Sequence, residues 1–349
     1  MFDPRELLRP HIRSLVPYSS ARDEYTGKEG VFLDANENPY GSITKEDWNR
    51  YPDPYQVELK KRIAEIKEVN WESLFLGNGS DEPIDLLYRA FCEPGKDNVI
   101  INPPTYGMYQ VSADINAVEA KKVLLTKDYQ LDAQAVLAAV DAQTKMIFIC
   151  SPNNPTGNDV GLEAIEEVIN SFNGIVVVDE AYIDFADRSS YIHQLDQYPN
   201  LIVLQTFSKA WGLASLRLGM AFASTQIVTI LNMIKPPYNI SGLTQQTILD
   251  ALSNLETKDQ MVSDILDERD ALKAELESLD LVEEIYPSVS NFFLVRMKSN
   301  AKKTFDELIE QKIIVRDRSK VILCDEGLRI TVGTKVENEK LINALKELS

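Results

Sequence analysis

Between about residues 55 and 225 the chain alternates short apolar, β-branched runs with amphipathic stretches of helical spacing, and this alternation restricts the fold more than any other feature. Runs at 98–101, 118–124, 145–150, 174–178, 201–206 and 218–223 read as strands. Between them Ile84, Leu87, Tyr88 and Phe91 recur at i, i+3, i+4 and i+7, and Leu162, Ile165 and Ile169 repeat the pattern in part, giving helices with one apolar face. Strands linked through helices build a parallel sheet, so the expectation is an α/β fold with a mostly parallel central sheet under a helical cover.

From about 240 to 280 a long, charged helical pattern takes over, clearest at 260–278. Short strands at 291–295 and 328–332 then flank a helix around 304–311, which reads as a smaller α+β unit. With 349 residues the chain suits one large domain plus a small one: 46–265 for the large domain, 1–45 and 266–349 for the small one, the two sharing the long helix.

Fifty-four acidic against 36 basic residues leave a net charge of −18, which repels phosphate backbones and anionic lipid, and no Lys/Arg-rich run offsets it. No nucleic-acid or membrane partner is expected. No run approaches the ~18 apolar residues of a membrane span, and residues 1–6 are charged without an apolar signal core, so a cytoplasmic protein is expected. Cys92, Cys150 and Cys324 are too few and too scattered for a disulfide framework or a zinc site. With His11 and His193 alone, a histidine metal site or a Ser-His-Asp triad lacks material, and no metal is expected.

The chemistry-bearing residues gather at strand ends. Lys209, in Thr206-Phe207-Ser208-Lys209-Ala210-Trp211-Gly212, directly follows a strand, at the carboxyl edge where open α/β sheets bind ligands. A lysine there is ordinarily just solvated, but Arg217 lies eight residues on, and Ser208 with Arg217 could hold a dianionic phosphate while Lys209 reaches a carbonyl. Asp179 ends the run Ile175-Val176-Val177-Val178-Asp179-Glu180-Ala181-Tyr182, where it could protonate a pyridine nitrogen or simply cap the next turn. Asn154, in Ser151-Pro152-Asn153-Asn154-Pro155-Thr156-Gly157, could donate to a ring oxygen, although Asn-Pro is also ordinary turn chemistry. Gly77-Asn78-Gly79-Ser80-Asp81-Glu82 opens a helix whose free N–H groups could bind phosphate, or whose Ser80 or Asp81 could merely cap it. Tyr106, in Pro103-Pro104-Thr105-Tyr106-Gly107-Met108-Tyr109, could stack on a flat heterocycle or sit in the core. Each signal is modest alone, and five of them at the junctions of one sheet point to one shared pocket.

Taken in this order, and closed by Leu328-Arg329-Ile330-Thr331-Val332-Gly333, these segments resemble the fold-type I pyridoxal-phosphate-dependent aminotransferases, most closely their histidinol-phosphate branch. The resemblance runs from Tyr18 to about Leu345. It implies pyridoxal 5′-phosphate held by Lys209 as a Schiff base, with Asp179 on the pyridine nitrogen, Tyr182 and Asn154 on the ring oxygen, and Tyr106 against the ring. The phosphate would lie among the Ser80 and Asp81 backbone, Ser208 and Arg217, completed by Tyr51 of a partner subunit in a homodimer. Arg329, Arg316, Tyr18 and Asn38 match positions that meet the substrate. Trp211-Gly212 departs from the smaller residues common among relatives after the Ser-Lys pair.

The implied reaction is ping-pong transamination between a small-molecule amino donor and acceptor, glutamate and imidazole-acetol phosphate, as a step in histidine biosynthesis. An aromatic or broad-specificity aminotransferase, or a phospho-amino-acid decarboxylase on the same fold, would share every cofactor residue.

Overall fold

The chain forms two sheets, each with its own core, in a computed structural model that describes residues 2–19 and 29–348. The larger sheet has seven strands: β1 (Leu74–Asn78), β2 (Asn98–Ile101), β3 (Glu119–Lys122), β4 (Thr144–Cys150), β5 (Ile175–Asp179), β6 (Leu201–Thr206) and β7 (Leu218–Ala223). Their order is β1-β7-β6-β5-β4-β2-β3. The pairs β2–β3, β2–β4, β4–β5 and β5–β6 are parallel, while β7 runs antiparallel to both β6 and β1. The mostly parallel sheet is as expected; the reversed β7 has a local cause. No α-helix intervenes between β6 and β7, only residues 207–217 with a single 3-10 turn at Ala214–Leu216, too short a crossover for a parallel return, so the chain comes back antiparallel.

A one-turn helix α1 (Pro10–Arg13) is followed by α2 (Val57–Lys67), α3 (Asp81–Phe91), α4 (Met108–Ile115), α5 (Ala133–Ala138), α6 (Leu162–Ser171) and α7 (Thr225–Ile234). Strand residues alternate between two cores, as a pleat requires. Ile147, Ile149, Val176, Val178 and Val203 face one, with Leu59, Ile63, Val136, Ile165 and Ile169 from the helices. Met146, Phe148, Ile175, Val177 and Leu204 face the other, with Leu87, Phe91, Tyr109, Ile227 and Leu231. Phe2, Leu7, Leu8 and Ile12 join this second core, so the first dozen residues pack with the large sheet rather than with the C-terminal unit.

The expected long helix is interrupted: α8 (Gly242–Ala251) and α9 (Leu255–Glu277) are separated at Leu252–Asn254. The second sheet is antiparallel, of order β10-β11-β9-β8, from β8 (Val282–Ile285), β9 (Phe292–Met297), β10 (Arg316–Asp317) and β11 (Gly327–Thr331). It packs with α9, α10 (Ala301–Glu310) and α11 (Lys335–Glu347) around Leu272, Leu276, Phe293, Val295, Leu328, Ile330 and Leu341. Phe292 and Leu294, from the opposite face of β9, belong to the core of the large sheet, so β9 is the seam between the two units. No helix among the described residues is long and apolar enough to cross a membrane. No group of three or more His, Cys, Asp or Glu among them could hold a metal ion.

Candidate active site

One edge of the large sheet gathers the carboxyl ends of β1, β4, β5 and β6 and the start of the reversed β7. The antiparallel return places Lys209 and Arg217 at the two ends of a single loop, while the register sets Cys150 beside Asp179 and Asn78 beside Leu218.

Asp179 closes β5 and is buried. It accepts a hydrogen bond of 2.6 Å from the Tyr109 hydroxyl and one of 3.1 Å from the Ala181 N–H. The bond from Ala181 holds the turn that follows β5, and the one from Tyr109 reaches in from α4. Burial pushes its carboxyl up to about 6, against the pull of those two hydrogen bonds.

Lys209 Nζ lies 5.3 Å from the centre of the Tyr182 ring, within cation–π range. Part of its side chain stays open to solvent, yet partial burial and then the Arg329 charge hold its amine below the usual lysine value. Tyr182 is buried, and burial raises its phenol, which stays protonated. Asn154 Nδ2 donates to the Tyr182 oxygen at 3.3 Å, and Asn154 Oδ1 accepts from Arg329 Nη1 at 2.6 Å. A continuous chain thus runs from the lysine through Tyr182 and Asn154 to an arginine of the second sheet, 175 residues from Asn154 in sequence.

Arg217 sits at φ +51°, in left-handed backbone that side chains other than Gly and Asn rarely adopt. Its guanidinium reaches Ser208 Oγ at 3.5 Å and Asp81 Oδ2 at 3.6 Å, and its carbonyl accepts from Gly79 N at 2.8 Å. Ser80 is the N-cap of α3 but makes no side-chain cap bond, which leaves first-turn N–H groups available to an anion. Gly79 (φ +67°) and Gly219 allow the close approach: a Cβ on Gly79 would stand 2.5 Å from Arg217 Nη2, and one on Gly219 2.2 Å from the Gly79 carbonyl carbon. Tyr106 donates to Asp81 Oδ1 at 3.0 Å and meets Tyr109 edge-on, their centroids 5.6 Å apart.

Arg316 and Arg329 are direct cross-strand partners on β10 and β11. Like charges so placed repel unless an anion lies between them. Arg318, absent from the sequence expectation, joins them: burial first, then Arg329 and Arg316, lower its hold on a proton. The first-turn N–H groups, Ser208 and Arg217 form one cluster of donors, and the three arginines a second cluster of positive charge.

Three expected residues are not drawn into this group. Tyr18 and Asn38 are exposed, Asn38 Oδ1 accepting only from Tyr40 N at 3.0 Å. Tyr51 stacks on Tyr238 at 4.4 Å with half its surface open. The sequence reading also passed over Arg188, which donates to the fully buried Glu180 at 3.0 Å, to Asp159 at 2.9 Å and to the Ser151 carbonyl at 2.9 Å. It ties the loop of Asn154 to the end of β5. Nothing local announces that role, and Tyr109, three residues after Tyr106, is likewise defined only by its long-range hydrogen bond to Asp179.

The profile of the family described as aminotransferase class I and II matches residues 28–345. A histidinol-phosphate aminotransferase of Cytophaga hutchinsonii is 58% identical over 345 residues, 99% of each chain. Among solved structures, histidinol-phosphate aminotransferase from Sinorhizobium meliloti in complex with pyridoxal-5′-phosphate is similar at a TM-score of 0.79, with 22% identity and 97% of each chain covered. L-threonine-O-3-phosphate decarboxylase from Porphyromonas gingivalis is similar at 0.74, with 20% identity, covering 86% of this chain and 91% of its own. At such identities these two structures speak for the fold alone.

Proposed function

Because this chain belongs to the class I and II aminotransferases, we propose that it exchanges an amino group between glutamate/2-oxoglutarate and histidinol phosphate/imidazole-acetol phosphate, in histidine biosynthesis, with pyridoxal 5′-phosphate as cofactor. The observation that carries the reading is the single sheet edge on which Lys209, Asp179, Tyr182, Asn154 and Arg329 meet.

The residues present fit that cofactor. Gly79 leaves room that a Cβ would fill, and the uncapped start of α3, with Ser208 and Arg217, suits a phosphate. Asp179 suits a pyridine nitrogen, Tyr182 and Asn154 a ring oxygen, Tyr106 the ring face and Lys209 the aldehyde carbon. Bound pyridoxal phosphate supplies an electron sink for a carbanion at the substrate α-carbon and a carrier for the amino group.

The chain's own residues do the rest. Lys209 Nζ, its proton held loosely by partial burial and by Arg329, takes the α-proton of the amino donor and returns a proton at the end of the exchange. Asn154 fixes the Tyr182 hydroxyl at one end and the Arg329 guanidinium at the other, so it aligns the cofactor side of the site with the substrate side. Arg329 and Arg316 bind the anionic group of either substrate in turn, a carboxylate in one half-reaction and a phosphate in the other.

The same reading includes a homodimer in which Tyr51 closes the partner's phosphate site and Tyr18 and Asn38 cover the substrate. It is supported by the apolar side chains that residues 31–43 leave open, among them Val31, Leu33, Tyr40 and Ile43. A large domain of 46–265 joined by the first dozen residues, a small one of 266–349, and a cytoplasmic location complete it; the separate core of residues 272–345 supports the boundary.

The test is amino transfer by the full chain supplied with pyridoxal phosphate and glutamate. One 2-oxoglutarate per site is expected without an acceptor and sustained turnover with imidazole-acetol phosphate, both abolished by Lys209→Ala. Release of carbon dioxide in place of the oxo acid, or no oxo acid from any amino donor, would overturn the proposal.

A further inference from the structure

Asp179 is a carboxylate buried in an apolar sheet edge, where desolvation favours the neutral acid. Among the described residues one side chain donates a hydrogen bond to it: Tyr109, from α4, at 2.6 Å. The Tyr109 ring is fully buried, stacked on Phe148 at 4.9 Å and edge-on to Tyr106, so its hydroxyl cannot swing away. Burial first, then the Asp179 charge, holds the phenol far above its usual value, so it is a donor at every working pH.

The other groups facing Asp179 do not replace this bond. Lys209 acts on it through its charge and favours the anion, while Asp81 opposes the anion. Cys150, opposite in register, and the phenols of Tyr106 and Tyr182 feel its charge without donating to it.

We propose that Tyr109 is a positioning residue for the cofactor's ring nitrogen: its hydroxyl keeps Asp179 an anion, so that the shared proton rests on the ring and not on the carboxylate. The inference depends on reading Asp179 as the partner of that nitrogen. One short segment then carries two roles three residues apart, Tyr106 against the ring face and Tyr109 behind the acid that meets the ring edge. A donor that contributes most when its acceptor is charged acts on the protonation state rather than on substrate binding.

The experiment follows the Asp179 carboxyl carbon by 13C NMR from about pH 4 to about pH 9, in the full chain before cofactor is added. Asp179→Asn identifies the signal. Tyr109→Phe should raise the titration midpoint by about one to two pH units, the equivalent of one hydrogen bond to a charged group. In the loaded enzyme the acid limb of kcat should move up with it, while KM for glutamate stays within about twofold. Tyr88→Phe is the packing control. Its hydroxyl donates to the Tyr109 carbonyl at 2.8 Å in the same core, and its removal should leave the midpoint in place. If Tyr109→Phe yields no folded protein, 3-fluorotyrosine placed at position 109 takes its part; its more acidic phenol should lower the midpoint. An unmoved midpoint, or an equal shift in Tyr88→Phe, overturns the proposal. A moved midpoint in a chain that transfers no amino group would uphold Tyr109 and count against the proposed reaction alone.

Discussion

Burial raises the Asp179 carboxyl to about 6 from an ordinary 3.8, so the folded chain holds its proton longer as pH rises. The sign of the stability effect follows. The folded chain binds the proton more tightly than the unfolded one, so the contribution is complete below about pH 3.8 and is lost as pH rises through about 6. Two pH units correspond to about 3 kcal/mol. Asp179→Asn in the cofactor-free chain should therefore be the more stable protein at pH 8, by up to about 3 kcal/mol in urea unfolding, with the gap closing toward pH 4. A wild-type advantage at pH 8 would contradict the account. Lys209, Asp179 and Asn154 were noticeable at this scale because each stands at, or within a few residues of, the end of an apolar strand. Tyr109 and Arg188 were not: the hydrogen bonds that define them span 70 and 8 to 37 residues, and only the folded sheet brings the partners together.

Between elements, the site depends on two glycines that let β7 and β1 close against Arg217. At Gly79 the atom in the way is the end of a flexible side chain, whereas at Gly219 it is the backbone of Gly79 and Ser80. The consequences should separate. Gly79→Ala should cost about 1 kcal/mol of stability for its left-handed backbone and weaken cofactor affinity at least tenfold by displacing Arg217. Gly219→Ala should cost about 1–3 kcal/mol or more, because strands cannot shift cheaply. Denaturant unfolding without cofactor, set beside a cofactor titration, reads both; equal stability losses would refute the distinction. The apolar runs announced β2 to β7. They could not announce the sense of β7, which comes from the missing crossover helix, nor β1, whose Leu74-Phe75-Leu76-Gly77-Asn78 is short and leads straight into a helix start. β8, with two exposed glutamates, carried too little hydrophobic signal, and its place is set by pairing with β9.

At the scale of the whole molecule, two separately cored units meet along β9, and the chain from Tyr182 through Asn154 to Arg329 crosses that seam. A motion of the C-terminal unit would thus move the substrate arginines against a fixed cofactor site. The proposed dimer makes a second statement about completeness. If Tyr51 serves the partner's site, mixing Lys209→Ala chains with a Tyr51 variant of severely reduced activity should restore up to about a quarter of wild-type activity, since half of the dimers would be hybrid and one of the two sites in each would hold both intact residues. No recovery despite proven subunit exchange would remove Tyr51 from the shared site. The identity of the substrate was the least legible property, because in the proposed reaction Lys209, Asp179 and Asn154 would serve any amino donor. On the proposed reading selection would fall to the three neighbouring arginines, of which the motifs pointed to two. The decisive measurement is the half-reaction of the loaded enzyme with histidinol phosphate beside phenylalanine and tyrosine, compared as kcat/KM. A preference for histidinol phosphate of at least about a hundredfold, most of it lost in Arg316→Gln, is the result expected from a doubly charged anion held by that cluster. Equal or better use of the aromatic amino acids would contradict it.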